Sequence, residues 1–366
     1  MKYLNKDIDT IFIVLGKGCN FNCRYCMQNE THKSGIIYPT EINEDIYEFI
    51  EEIVANQKYP PYIHFYGGEP LLYKDKIKII VGKLQHINNI RFSIITNGSL
   101  IDEEMINLFN SHDFHVNISW DGHFSSKTRK RDVFKENKEN LFKINQLGIS
   151  MVISSITPLG QLINDAQNLF NEYKEKTGND LYINYDEVYD ANIADKSLLN
   201  VDYEEYSKIA RRIFKECIKI KTGEINIPLD TFKKKYWAKM SFFERMYWNV
   251  RNYATNEKKC IKYMARCCNG IEILNLDLEG NLYSCHNCDT KLGTIYSSYI
   301  NYLDELFKND DIKYYFKKYC SQCLAYPICR GGCKLIGEEV RNESYCKLKK
   351  AIFIPAIEEI LAITKQ

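Results

Sequence analysis

Thr10-Ile11-Phe12-Ile13-Val14-Leu15-Gly16-Lys17-Gly18-Cys19-Asn20-Phe21-Asn22-Cys23-Arg24-Tyr25-Cys26 decides how the rest of the chain is read. Ile11–Leu15 is a short, β-rich apolar run, a strand candidate. The loop that follows it directly carries cysteines spaced Cys-x3-Cys-x2-Cys. Three thiolates in one loop can ligate three irons of a 4Fe–4S cube and leave the fourth iron open to a chelating substrate. Zinc is the plainer alternative, but tetrahedral zinc takes four closed ligands, and no fourth ligand lies nearby in the sequence.

Outward from this loop, strand-like runs alternate with helix-period segments as far as Asp186. Strands are predicted at Ile11–Leu15, Tyr62–Tyr66, Arg91–Ile95, His115–Ser119, Met151–Ile156 and Leu181–Tyr185. Ile42, Ile46, Phe49, Ile50 and Ile53 recur at helical spacing after Pro39 and Thr40, and Leu141, Ile144 and Leu147 precede Gly148, read as a helix stop. Such alternation gives parallel βαβ units with right-handed crossovers. The expected fold class is therefore α/β, an open partial (β/α)6 barrel with its chemistry at the C-terminal ends of the strands. Residues 203–253 read as helical and rich in aromatics, from Tyr236 and Trp237 to Trp248 and Tyr253. They serve either as the packing of a bridging helix or as a wall for a peptide.

The 366 residues suffice for one large domain and an appendage. Lys plus Arg number 49 against 48 Asp plus Glu, which leaves no electrostatic case for nucleic acid or an anionic membrane. No signal-peptide pattern opens the chain, and no apolar run approaches the ~18 residues of a membrane span, so a cytoplasmic location is expected. In a reducing compartment, clustered cysteines read as metal ligands before disulfides. Of fourteen, three fall at 19–26, one at 217 and ten between 260 and 346. That division predicts a core over 1–215, a helical aromatic bridge over 216–259 and a second metal-bearing domain over 260–366. Cys217 stands outside every cluster and reads as a buried apolar residue.

The cysteine loop, with Tyr25 before its last cysteine, resembles the signature of radical S-adenosylmethionine (SAM) enzymes, and further segments agree in order. Gly67-Gly68-Glu69-Pro70 resembles the family's motif for the SAM amino group; a carboxylate suits an ammonium, and glycines let a backbone approach closely. Thr96-Asn97-Gly98 and Ser119-Trp120-Asp121-Gly122 resemble segments lining the SAM pocket, with Thr96, Asn97, Ser119 and Asp121 as binding candidates. Arg131 lies where relatives often have an arginine for the SAM carboxylate, and Arg129 is the neighbouring alternative.

Cys320-x2-Cys323-x5-Cys329-x3-Cys333 followed by Cys346, with Cys268 and then Gly280 and Cys285 upstream, resembles the SPASM domain of peptide and protein maturases. The resemblance implies three 4Fe–4S clusters in all. Cys19, Cys23 and Cys26 would hold the SAM cluster. Cys320, Cys323, Cys329 and Cys346 would hold a distal auxiliary cluster, and Cys260, Cys267 or Cys268, Cys285 and Cys333 a proximal one. Cys288 is left as a substitute ligand or a free redox thiol, and a pair of structural zincs is the alternative for the whole region.

The family implies that SAM cleavage yields a 5′-deoxyadenosyl radical, which abstracts hydrogen from a peptide to form thioether or carbon–carbon crosslinks. A flavodoxin or ferredoxin system would donate the electron. The first strand begins too early for an N-terminal leader-recognition domain, so a leader would bind the core or a separate protein. Formylglycine formation, as in anaerobic sulfatase maturation, and peptide epimerisation are alternatives, and a zinc-stabilised binding protein is the non-enzyme one. Sulfatase-maturating relatives carry an aspartate immediately after the cysteine that Cys285 resembles; here His286 stands there, a candidate base. Three clusters predict about 12 irons per chain after anaerobic reconstitution. Replacing Cys19, Cys23 and Cys26 by Ala should remove about four and abolish 5′-deoxyadenosine formation. Iron analysis and chromatography check both, and continued SAM cleavage by that variant would contradict the assignment.

Overall fold

The computed structural model describes residues 8–28, 41–88, 90–189, 193, 195–255, 270, 272–309, 320, 322–333, 335 and 344–364. Six strands run parallel: β1 (Thr10–Val14), β2 (Tyr62–Tyr66), β3 (Arg91–Thr96), β4 (His115–Ser119), β5 (Leu147–Ile153) and β6 (Tyr182–Glu187). Their order is β6-β5-β4-β3-β2-β1, each strand beside its predecessor in sequence. Register puts like beside like. Ile11 neighbours Ile63, Ile94 neighbours Val116, and Ile118 neighbours Ile149, which neighbours Ile183. That set is buried. The alternate set mixes Ser93, Asn117, Ser119, Ser150 and Asn184 with the rings of Phe12, His64 and Tyr66, so the second face is more polar and less closely filled than the first.

Helices cover the apolar face. α1 (Asp45–Ala55) buries Ile46, Phe49, Ile50 and Ile53, the stripe its spacing predicts, and Asn43 Oδ1 accepts the Asp45 N–H. Pro39 and Thr40, the expected helix start, lie outside the described residues. α2 (Lys74–Leu84) and α3 (Glu103–Ser111) follow, the latter capped by Asp102, which accepts the Met105 N–H at 3.0 Å. α4 (Leu159–Thr177) ends at Gly178 with φ +76°.

One expectation fails at β5. Leu141, Ile144 and Leu147 are not one helix face: the helical turn is only Lys138–Leu141, and Leu147 already opens a strand that ends at Ile153, not Ile156. All three are buried, so three-residue spacing here reflects burial in three successive conformations. Gly148 is therefore a strand residue. A Cβ there would stand 2.4 Å from Asn117 Oδ1 on the neighbouring strand, which is why a glycine is needed.

Beyond the predicted elements, the sheet continues past β1. β7 (Ile273–Asp277) pairs parallel with β1, and β8 (Asn281–Tyr283) and β9 (Lys291–Thr294) add antiparallel, giving nine strands. α5 (Tyr203–Lys221) and α6 (Leu229–Thr255) close the β6 edge together with the C-terminal α8 (Ser344–Thr364), after α7 (Tyr299–Asn309). On α6, Phe242, Phe243 and Met246 are fully buried and the Trp237 indole N–H donates to Leu181 O at 2.8 Å, so these aromatics pack the core. Cys217 is buried on α5, as expected. No helix among the described residues is long and apolar enough to cross a membrane.

A buried ion pair ties α8 to the barrel: Lys349 Nζ stands 2.6 Å from Glu187 Oε2, with 2% and 0% side-chain exposure. Arg245 on α6 lies 3.6 Å from the other oxygen. Lys349→Met should cost about 3–5 kcal/mol, because the carboxylate stays buried with a weaker partner. Adding Glu187→Gln should recover part of that loss. Urea-denaturation midpoints of the single and double variants check this, and a neutral single variant would contradict it.

Candidate active site

The site is assembled where the loop after β1 meets the loops after β2, β3 and β4. Gly68 N–H donates to Gly16 O at 3.0 Å and Glu69 N–H to Gly18 O at 2.8 Å, stitching the first two loops together. A Cβ on Gly67 would fall 2.2 Å from Gly16 O, and one on Gly68 2.3 Å from Gly18 O. The paired glycines thus serve a close approach of two backbones, before any approach to a ligand.

Glu69 is 1% exposed, and every near neighbour donates to it: Leu71 N–H at 3.0 Å and the Thr96 hydroxyl at 2.5 Å to Oε1, Asn97 N–H at 2.7 Å to Oε2. Burial nevertheless pushes its carboxyl up to about 7. A cation set beside it would offset that desolvation and restore the carboxylate. Asn97 also donates to Asn20 Oδ1 at 2.8 Å, fixing the cysteine loop from the β3 side.

Asp121, wholly buried after β4, ties the loop from the other side. It accepts from the Tyr25 hydroxyl, from the Thr128 hydroxyl at 2.7 Å and from Val152 N–H at 2.9 Å, and it pairs with Arg129 at 3.2 Å. Arg129 lies over the Tyr25 ring, 5.2 Å from its centroid. Arg131 pairs with Glu136 through Nε at 3.0 Å, lies over the Phe21 ring at 5.3 Å from its centroid and is half-exposed. Of the two arginines left open by sequence, Arg129 lines the site and Arg131 does not.

A cavity of about 300 Å³ opens at this junction, bordered by Cys19, Cys23 and Cys26. Tyr25, Gly67, Gly68 and Glu69 line it too, as do Thr96, Asn97 and Ser119. Asp121 stands behind the wall and holds it. Burial pushes the Cys19 thiol up to about 12 and the Cys26 thiol to about 11, and raises Cys23 against the pull of Arg129. Thiols so raised become thiolates only when a metal displaces their protons. Among the described residues no three ligating groups converge as one ion requires. Corners of an iron–sulfur cube are separate irons, so three cysteines around a shared cavity fit that group.

Several cavity residues had no sequence motif, Asn287 and Asp186 among them. Asn287, two residues after Cys285, lines the cavity and its Oδ1 accepts from Gln28 Nε2 at 2.9 Å and the Tyr66 hydroxyl at 3.2 Å. Asp186, at the end of β6, also lines it and pairs with Arg245 at 2.7 Å. His286 is not in the cavity wall. Its ring stacks on Phe12 at 4.4 Å and meets Tyr66 at 4.2 Å, with Nδ1 3.3 Å from Asn275 Oδ1.

In the C-terminal region, burial above all, with the neighbouring Cys329, Cys320 and Cys323 adding to it, pushes the Cys346 thiol up to about 11. Cys285 and Cys333 are buried. Cys260, Cys267 and Cys268 lie outside the described residues.

This arrangement defines a class. The sequence model of the radical SAM superfamily matches residues 13–172, and the chain carries a radical SAM domain. The cysteine-type anaerobic sulfatase-maturating enzyme of Clostridium perfringens is 22% identical over 377 residues, covering 94% of this chain and 95% of that protein. The GTPase Obg of Brachyspira hyodysenteriae is 39% identical over 94 residues, and the radical SAM cyclopropyl synthase TigE of Paramaledivibacter caminithermalis 27% over 130. Those matches cover 25% and 32% of this chain, and they span 14% and 28% of the two proteins. Among solved structures, native anSMEcpe with bound AdoMet and the Cp18Cys peptide has a TM-score of 0.65 at 20% identity, covering 97% of this chain and 98% of that one. Streptococcus suis SuiB bound to precursor peptide SuiA gives 0.58 at 15%, covering 90% and 72%. At such identities the likeness to the solved structures is one of fold.

Glu69→Gln keeps the volume and removes the charge. It should weaken SAM binding by about 1.5–3 kcal/mol while iron content stays intact. Arg131→Met should leave the affinity unchanged. Anaerobic equilibrium dialysis checks both, and an unchanged affinity in Glu69→Gln would make the Gly-Gly-Glu turn purely structural.

Proposed function

We propose that the chain is a peptide maturase that removes hydrogen from a peptide substrate and forms a thioether or carbon–carbon crosslink. When bound, a 4Fe–4S cluster on Cys19, Cys23 and Cys26 and its SAM supply a 5′-deoxyadenosyl radical, which takes hydrogen from C–H bonds that no side chain could deprotonate. Glu69 receives the SAM ammonium and Arg129 its carboxylate. Phe21, Met27 and Val188 give the cavity apolar wall that keeps water from a reactive intermediate.

One observation carries this reading: Asn287, next to the Cys285 turn, borders the same cavity as the three N-terminal cysteines. A substrate held there lies between two redox sites, which suits an oxidative change. A thioether crosslink takes one hydrogen atom from carbon and one proton from the partner thiol and leaves one electron to be accepted, for which a cluster held by the C-terminal cysteines would be the acceptor. The product is lighter by two hydrogens. Two auxiliary clusters in the C-terminal region, a flavodoxin or ferredoxin donor and a cytoplasmic setting belong to the same proposal.

Formylglycine formation is the second reading, favoured by alignment with the C. perfringens enzyme along nearly the whole of both chains. Against it, the residue after Cys285 is His286, stacked on Phe12, where that chemistry is expected to use a carboxylate. Mass spectrometry decides. A small cysteine-containing peptide encoded beside this gene should lose two hydrogens and resist thiol alkylation at the linked cysteine. A Cys-x-Pro-x-Arg peptide should remain unchanged. Formylglycine in the latter would overturn the crosslinking assignment, and inverted stereochemistry without mass change would redirect it to epimerisation.

A further inference from the structure

Cys288 is the described cysteine of the C-terminal region to which no cluster position corresponds, yet its surroundings are those of a ligand. In each of three Cys-x2-Cys turns the second N–H donates to the first carbonyl: Cys26 to Cys23 at 3.2 Å, Cys323 to Cys320 at 3.1 Å, and Cys288 to Cys285 at 3.2 Å. An amide two residues on also reaches the sulfur. Phe21 N–H stands 3.4 Å from Cys19 Sγ and Asn287 N–H 3.4 Å from Cys285 Sγ. The backbone of Gln28 does the same for Cys26, and that of Thr290 for Cys288. A sulfur bound to an iron–sulfur cluster accepts bonds of this kind.

Cys217 is the internal contrast. It is more deeply buried than Cys288, and no backbone amide is among the groups acting on its sulfur. The Cys288 sulfur, moreover, is within hydrogen-bond reach of the Cys285 sulfur, and the Ser284 hydroxyl lies 3.2 Å from it. Two sulfurs on one tight turn, each with its own amide, are placed to bind two corners of one cluster.

We propose that Cys285 and Cys288 together hold the proximal auxiliary iron–sulfur cluster, Cys288 taking one of the four corners that the resemblance gives to Cys260, Cys267 or Cys268, Cys285 and Cys333, since each of the four irons has one terminal ligand. This rests on the auxiliary-cluster reading above. A chelate across this turn ties the cluster to Asn287, between the two cysteines, and Asn287 bonds both Gln28 of the SAM-cluster loop and Tyr66. The auxiliary site is thereby held at a fixed place relative to the substrate cavity.

The test uses the full chain reconstituted anaerobically with iron and sulfide. Iron per chain and low-temperature EPR are measured for wild type, Cys288→Ala, Cys288→Ser, Cys285→Ala and the double variant, with circular dichroism confirming folding. From about 12 irons in the wild type, Cys288→Ala should lose at least about one, with an altered spectrum. The double variant should lose no more than the roughly four of a single cluster. In the wild type, Cys288 should resist iodoacetamide when reconstituted and react after iron chelation. Full iron in Cys288→Ala, or equal labelling with and without clusters, would overturn the ligand assignment and leave the auxiliary clusters standing. A wild type taking up only about four irons would overturn both.

Discussion

Everything at this site hangs on a carboxylate that sees no solvent. Asp121 receives Tyr25, Thr128, Val152 and Arg129, and those partners come from the cysteine loop, the segment after β4 and the strand β5. A buried carboxylate is costly unless nearly every lone pair is met. Here the partners that meet it also fix the geometry around it. Tyr25 sits between Arg24 and Cys26, so its hydroxyl bond sets the height of the loop, and Arg24 N–H donating to Thr128 O at 2.9 Å locks the same level from the backbone. Arg129 neutralises Asp121 on one side and faces Cys23 on the other, where its charge counters the burial that raises that thiol. Removing the arginine would strand one charge and protonate another group more firmly, a coupled loss rather than two separate ones.

Glu69 repeats the device on the β2–β3 side, with one difference. Its partners are neutral donors, so its charge is stabilised by dipoles and not by a paired cation. Burial then leaves the carboxyl near 7. Two buried acids thus flank the cavity, one already paired and one short of a cation. That asymmetry marks where a positive group belongs, and it explains why the sheet keeps a more polar inner face: a closely packed core there would leave neither room nor partners.

How far this was legible in sequence follows from which signals are local. The cysteine loop, the Gly-Gly-Glu turn and the ends of β3 and β4 could be read because each sits at the end of an alternating apolar run, and alternation fixes strand and face together. β5 misled because Leu141, Ile144 and Leu147 are buried at helical spacing without sharing a helix. β7 was missed because its pairing with β1 joins residues about 260 apart, and nothing local declares it. Arg129 and Arg131 are two residues apart on a short, irregular segment where no periodicity applies. Only the partners, Asp121 for one and Glu136 for the other, tell them apart. Asn287 carried no motif, since a side chain that bridges two loops is recognisable only once both loops are in place.

The pairing of β7 with β1 changes what the C-terminal cysteines can do. Had they sat on a separate bead, their distance from the substrate cavity would vary with a linker. Instead β7 lies beside the strand that delivers Cys19, and the turn after β8 carries Cys285 back toward it. Gln28 and Tyr66 reach Asn287 by hydrogen bonds, and Lys17, almost wholly buried, pairs with Asp289. Three contacts, two from the loop after β1 and one from the end of β2, over-determine the position of one five-residue turn. The sheet register fixes the separation between the two cysteine-bearing regions, because the same row of backbone bonds that orders β1 against β2 also orders it against β7.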